Sequence, residues 1–155
     1  MCAIDTSAAT DRSERLTEEL LEQLLAAASP EAYLVEADDS LETRTLAEYL
    51  CALEGRKGIR RSRAVRDAGI QETYGLDFFS GKRKNPSRDY VLKLAFGLRC
   101  TMPEAQRLLR VARCAELWPK RRRDAIVIFC LEHGLTRAEC DDELYRLGEQ
   151  TLVRA

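Results

Sequence analysis

Apolar residues recur at helical spacing along most of this chain. Between Ser13 and Ala28 one acidic segment carries five leucines, which are Leu16, Leu20, Leu21, Leu24 and Leu25. Spacings of three and four residues place side chains on one face of an α-helix. The pattern therefore predicts a helix that Ser29-Pro30 ends. The mixed segment "EAYLVEADDS" that follows predicts an irregular linker with at most one helical turn.

Helix-boundary signals divide the rest of the chain. Capping boxes begin at Thr45, Thr101 and Thr136, each with a Glu three residues later. In such a box the Thr hydroxyl accepts from the backbone N–H of the Glu, and the Glu carboxylate reaches back. The glycines expected at helix ends are Gly55, Gly134 and Gly148. The predicted helices span residues 45–54, 61–68, 71–80, 88–99, 102–114, 120–133 and 137–147.

The segment "DAIVIFCLEH" contains an apolar run with three β-branched residues, which also suits a buried strand. No second strand candidate exists to pair with it, and a lone strand is not stable. We therefore predict a buried helix here and an all-α fold for the chain.

Charge is distributed unevenly along the sequence. Residues 1–55 carry three basic and thirteen acidic side chains, whereas residues 56–99 carry twelve basic and four acidic ones. A basic middle segment indicates a surface that binds a polyanion. Attraction between the acidic and basic parts of the chain explains the same pattern equally well.

The remaining composition excludes several classes of protein. Six cysteines include no C-x-x-C pair and the chain has a single His, so we expect reduced, mostly buried thiols, no metal and no cofactor. No apolar run is long enough for a membrane span and no signal peptide is visible, which predicts a cytoplasmic protein. Without a phosphate-binding glycine loop or a nucleophile–base pair, we expect no enzymatic activity.

Residues 57–98 resemble the helix-turn-helix of Cro and phage repressors. The segment "KGIRRSRAVRDAGI" is similar to the second helix and the turn, with Gly69 at the turn and Ile70 between the helices. The segment "QETYGLDFFSG" takes the place of the recognition helix, and "GKRKNPSRDYVLKLAFGL" resembles the closing loop and the next helix. The resemblance implies a five-helix core with additional terminal helices.

This resemblance implies that the protein binds double-stranded DNA as a transcriptional regulator, in the cytoplasm of a bacterium and often as a homodimer. In such proteins the recognition helix reads the major groove and the preceding helix meets the phosphates. By position, the residues that face bases are Gln71, Glu72 and Thr73. The residues that face phosphates are Arg60, Arg61, Ser62, Lys82, Arg83, Lys84 and Asn85.

Three residues depart from the usual chemistry of a reading helix. Glu72 and Asp77 place acids where DNA would lie, and Gly75 is a poor helix former. Glu72 and Asp77, together with the acidic N-terminal part, favour a second hypothesis, in which the same scaffold binds a protein partner. It would then act as an adaptor or inhibitor in bacterial signalling or defence, without DNA.

Three further features each have two interpretations. The segment Lys120, Arg121, Arg122 and Arg123 at a predicted helix start is either a solvated face or a second basic patch that neutralises a phosphate or an acidic segment. The leucine stripe packs on its own domain or forms a dimer seam. His133 is expected to cap a helix end.

The chain is accordingly expected to have three parts. Residues 1–40 form an acidic arm and helix, and residues 41–114 form the helix-turn-helix domain. Residues 115–155 form a helical extension on the same core, which resembles the C-terminal extension of some bacterial members of the group.

Overall fold

The computed structural model describes residues 17–37 and 44–153. The chain divides into two compact units, residues 1–43 and residues 44–155. All regular structure in the described ranges is α-helical, which confirms the prediction of an all-α fold. A search of these helices finds none with the length and apolar character that a membrane crossing requires.

The first unit contains helices α1, Thr17–Ala26, and α2, Pro30–Glu36. The predicted arm and Leu16 lie outside the described residues. Ser29 accepts a hydrogen bond from the N–H of Ala32 at 3.1 Å, and Pro30 takes the first helical position. The prediction of an irregular linker is wrong here, because Ser-Pro is also a strong helix start.

The apolar stripe of the first unit remains open to solvent. On α1, Leu21 is 53% exposed and Leu25 is 77% exposed. On α2, Val35 is 81% exposed. Among the described residues of this unit, Leu21, Leu24 and Leu25 of the predicted stripe are therefore exposed.

The second unit contains seven described helices packed around one of their number. They are α3, Leu46–Lys57; α4, Arg61–Asp67; α5, Glu72–Ser80; α6, Arg88–Gly97; α7, Met102–Val111; α8, Arg122–Glu132; and α9, Arg137–Arg146. Helix α6 is central, because residues 91–98 are all buried and it contacts α4, α7 and α9. Helix α3 packs on α5 and α7.

The predicted helix starts are confirmed more closely than the ends. The capping boxes at Thr45 and Thr101 form in full, whereas at Thr136 the Glu139 carboxylate accepts from the hydroxyl instead of the backbone. Helix α3 does not end at Gly55 but runs to Lys57, and Gly58 follows in the left-handed region. Ion pairs from its last turn to buried Glu104 offset the weak helix propensity of Gly55.

Helices α6 and α7 end earlier than predicted for a different reason. Arg99 and Arg113 follow them with φ of 51° and 59°, which is left-handed backbone. A left-handed residue terminates an α-helix, and glycine is its usual occupant. Because arginine stands at both positions, the sequence offers no sign of these ends.

The segment "DAIVIFCLEH" lies mostly in α8 and forms no strand. One face of this helix is buried through Val127, Cys130 and Leu131, whereas Phe129 is 55% exposed. His133 ends the helix as predicted, with its Nδ1 2.9 Å from the carbonyl oxygen of Phe129 and its ring stacked on that side chain. The helix is thus buried on one side only.

The five described cysteines are free thiols, and Cys2 lies outside the described residues. Cys100, Cys130 and Cys140 are buried, as predicted, while Cys51 is exposed. Burial raises the pKa of the Cys100 thiol to about 12. This thiol therefore stays protonated and behaves as a small apolar side chain.

Candidate nucleic-acid interface

A tight turn joins α4 to α5. Gly69 adopts φ of 71°, a left-handed conformation that glycine enters without steric cost. The N–H of Gly69 donates to the carbonyl of Arg66, and the N–H of Ile70 donates to that of Val65. Ile70 is only 7% exposed and packs into the core beside the turn. The predicted turn therefore forms at the residues expected from the sequence.

Gly75 permits the close approach of α5 to α4. A Cβ atom at this position would collide with Cγ1 of Val65, which is fully buried on α4. The missing side chain is what allows the two helices to touch. A glycine that weakens α5 as an isolated helix thus contributes to its packing.

The three residues expected to face bases stand together at the start of α5. Gln71 is the N-cap residue, Glu72 and Thr73 follow it, and all three are exposed. Gln71 makes no side-chain hydrogen bond to the helix, whereas a Ser or Thr hydroxyl caps α3, α6, α7 and α9. The first N–H groups of α5 therefore have no side-chain acceptor and can donate to an anion.

The basic loop after α5 is attached to that helix through one arginine. Arg83 Nε lies 3.3 Å from Oδ2 of Asp77, and its guanidinium lies 4.5 Å from the ring centroid of Tyr74. The backbone N–H of Arg83 also donates to the carbonyl of Asp77. Asp77 is therefore an anchor for the loop, and its side chain is only 18% exposed.

The other cations near α4 and α5 differ in their partners. Arg61 is held by Glu54 at 2.8 Å, and its guanidinium lies 5.4 Å from the ring centroid of Phe79. Ser62 is half-buried. The exposed cations without an ion pair to any described residue are Arg60, Arg66, Lys82 and Lys84. Asn85 is also exposed, with φ of 58°.

The second basic segment has a different environment. Lys120 and Arg121 are exposed, and Arg121 lies beside the ring of Trp118. Arg122 donates to the carbonyl of Leu147 at 2.7 Å and pairs with Glu149 at 3.2 Å. Arg123 also binds within the fold, so the four residues do not form one free patch. Their internal partners offset the cost of positive charge at a helix start.

Two ion pairs join the start of α6 to the start of α8. Arg88 donates two hydrogen bonds to Asp124, at 3.0 and 2.9 Å, and Arg123 donates two to Asp89, at 2.9 and 3.2 Å. Burial acts to raise the pKa of the Asp124 carboxyl, but hydrogen bonds from Arg88 and from the Trp118 N–H outweigh it and lower this pKa. Arg88, the first residue of α6 after the basic loop, is thus used within the fold.

Comparison with protein-family models, with curated proteins and with solved structures finds no significant match to this chain. Within residues 17–37 and 44–153, no three His, Cys, Asp or Glu side chains are grouped to hold a metal ion. The surface around α4, α5 and the basic loop is therefore the candidate functional site.

Sequence reasoning missed three contributions to this region. Arg66 is exposed on α4 and extends the basic surface, Gly75 packs against Val65, and Arg88 binds Asp124. The sequence contains one sign of the pairing between Arg88 and Asp124. The dipeptide Arg-Asp occurs at the start of two predicted helices, at Arg88-Asp89 and Arg123-Asp124, and the two copies pair crosswise.

Proposed function

We propose that this protein is a sequence-specific, DNA-binding transcriptional regulator in which α4 and α5 form a helix-turn-helix of the Cro and phage-repressor type. One observation carries the proposal. Three exposed polar side chains, Gln71, Glu72 and Thr73, stand at the uncapped start of α5. Exposed cations without an internal partner lie on α4 and in the loop on either side of them in sequence.

In this proposal α5 enters the major groove with its first residues towards the bases. The amide of Gln71 has the donor and acceptor needed to bind N6 and N7 of adenine. The carboxylate of Glu72 can accept from N4 of cytosine, and Thr73 can bind either a base edge or a phosphate. Such contacts specify sequence, because each base pair presents a distinct pattern in this groove.

Phosphate contacts supply most of the affinity in the proposal. Arg60 lies at the start of α4, and Lys82 and Lys84 lie in the loop after α5, so they would meet phosphates on either side of the groove. Arg61 and Arg83 are oriented by Glu54 and Asp77 and would supplement them. Ser62 and Asn85 would contribute neutral hydrogen bonds.

A second candidate function is favoured by Glu72. Its carboxylate is exposed and has no ion-pair partner among the described residues, so it repels a duplex unless a base donates to it. On this alternative, the α4–α5 surface binds a protein with a cation opposite Glu72, and the chain acts as an adaptor or inhibitor without DNA.

A homodimer would suit either function. Repressor-type proteins commonly bind paired half-sites, and the exposed leucines of α1 provide an apolar surface for a second copy. Sedimentation of the full chain would reveal a dimer. Loss of that dimer on Leu21→Glu/Leu25→Glu substitution would assign it to α1.

Selection of bound duplexes from a random pool tests the proposed function. We expect enrichment of one motif at about 50 mM salt, where phosphate contacts are strongest. Gln71→Ala should change the preferred base at one position, whereas Lys84→Ala should weaken all duplexes equally. Binding without enrichment would contradict sequence-specific regulation. Absence of any binding would support the protein-binding alternative.

A further inference from the structure

The C-terminal extension, residues 115–153, is joined to the start of α6 by two reciprocal ion pairs. Each is bidentate, with both nitrogens of one arginine donating to both oxygens of one carboxylate: Arg88 to Asp124, and Arg123 to Asp89. A bidentate pair fixes orientation as well as distance. The side chain of Asp124 is only 3% exposed, so solvent competes little for it.

The same side chains bind the backbone of the extension. Arg88 donates to the carbonyls of Ala115 and Glu116, and Asp124 accepts from the N–H of Trp118 at 3.0 Å. Arg123 donates to the carbonyls of Gln150 and Thr151. The first two residues of α6 are therefore held by the segment before α8, by α8 itself and by the tail after α9.

This attachment lies directly beside the basic loop. Ser87 caps α6, and Arg88 is the next residue. At its other end the loop is attached to α5 through Arg83 and Asp77. The segment that carries Lys82 and Lys84 is thus bounded by α5 on one side and by the extension on the other.

The extension also touches the turn between α4 and α5. A Cβ atom on Gly69 would lie 3.1 Å from the guanidinium of Arg137 on α9. Asp141 pairs with Arg137 at 2.8 Å and accepts from the N–H of Leu152 at 2.6 Å. The extension therefore lies close to the turn before α5 and is joined to the residue that follows the basic loop.

We propose that the C-terminal extension positions the loop for phosphate contact, and that Arg88 and Asp124 are its main positioning residues. The inference rests on the proposed DNA-binding function and deepens it. Neither residue touches DNA in this account. They act by setting where Lys82 and Lys84 stand relative to the start of α5.

Asp124→Asn and Arg88→Lys test this role, with Glu143→Gln as a control that alters an exposed pair on α9. All are compared at a temperature at which circular dichroism shows each variant fully folded. We expect Asp124→Asn to weaken binding to a random-sequence duplex about tenfold. The slope of log affinity against log salt should fall by about one, because one loop contact is lost. The control should match the wild type.

A double-mutant cycle with Lys84→Ala separates positioning from general destabilisation. If Asp124 acts through the loop, the Asp124→Asn/Lys84→Ala double variant should have about the same affinity for DNA as whichever single variant binds more weakly. If the two substitutions reduce DNA affinity by factors that simply multiply, the inference is overturned while DNA binding stands. The same holds if Asp124→Asn keeps the wild-type affinity and the wild-type salt slope. A wild-type protein that binds no duplex would overturn both, so the two failures are distinguishable.

Discussion

Two arginine- and lysine-rich segments of this chain use their charge in different ways. In the loop after α5, Lys82 and Lys84 are exposed without an ion pair to any described residue. At the start of α8, Arg122 and Arg123 bind carboxylates and carbonyls of their own unit. Similar residue types thus stay exposed without an ion pair in one place and bind within the fold in the other. Whether a cation is exposed or bound within the fold depends on partners that are distant in sequence.

The two regions also differ in what holds them. Helices α4 and α5 approach through apolar packing, with Gly75 against Val65 and Ile70 at the turn. The extension shares the apolar core and is joined to the start of α6 by charge as well, through the pairs Arg88–Asp124 and Arg123–Asp89. Substitutions at Gly75 and substitutions at the two ion pairs therefore test different contacts of the fold.

The largest expected effect is on DNA affinity. Lys82→Ala/Lys84→Ala removes two cations and should weaken binding about a hundredfold at about 0.1 M salt, because each phosphate contact releases one counterion. Arg110→Ala/Arg146→Ala removes the same charge from exposed sites outside the candidate interface. Fluorescence anisotropy with a labelled duplex measures both. Equal losses would show that net charge alone controls binding.

The second-largest expected effect is a fall in the free energy of unfolding when Arg123 of the second basic segment is replaced. Arg123→Ala leaves Asp89 without its bidentate partner and removes donors to two carbonyls. We expect the free energy of unfolding in urea to fall by about 2–3 kcal/mol. Lys120→Ala, three residues away and exposed, should change it by less than about 0.5 kcal/mol. A small effect of Arg123→Ala would remove the distinction between the two segments.

A pair of glycine substitutions tests the packing of α4 on α5. Gly75→Ala should destabilise the protein by about 1–3 kcal/mol, because its Cβ collides with Val65. Gly55→Ala lies in α3 with no atom near the new Cβ and should stabilise by up to about 1 kcal/mol. Thermal unfolding of both variants reports the sign. Stabilisation by Gly75→Ala would contradict the close approach.

Acid should weaken the attachment of the extension to α6 through Asp124. The pKa of Asp124 in the folded protein lies below its ordinary value of 3.8. Its contribution to stability is therefore complete above that pH and is lost as the pH falls through the lower, folded-state pKa. Asp124→Asn should flatten the fall of unfolding free energy below about pH 4. An unchanged pH dependence would show that Asp124 is not stabilised as an anion.

The smallest effect concerns Glu72 and separates the two functions. Glu72→Gln removes one negative charge from the candidate reading surface and should tighten binding to a random duplex severalfold. It should also relax the preference for cytosine at one position of the selected motif. Unchanged affinity and unchanged motif would indicate that Glu72 faces away from DNA.

Local signals in the sequence predicted much of this fold. Thr45, Thr101 and Thr136 mark real helix starts, and Gly69 marks the turn, because capping and left-handed backbone depend on the residues themselves. Helix ends at Arg99 and Arg113 could not be predicted, since arginine is not a usual left-handed residue. Ser29-Pro30 follows the end of α1, as predicted, but it also starts α2, which was not predicted.

The candidate site was less accessible from sequence, because it depends on pairs of distant residues. In the sequence Asp77 is an acid on the expected reading helix, whereas in the structure it forms an ion pair with Arg83. Arg61 was expected to contact phosphate, and the structure shows that it also pairs with Glu54. Only tertiary structure joins Arg88 to Asp124, 36 residues apart.

The central claim is that the surface formed by α4, α5 and the loop binds DNA through its unpaired cations. The dissociation constant of the full chain for a random duplex, measured between about 50 and 200 mM salt, tests it most directly. The account predicts a plot of log affinity against log salt with a slope of about −3 or steeper, from Arg60, Lys82 and Lys84. A flat plot, or no binding at about 50 mM salt, would contradict it.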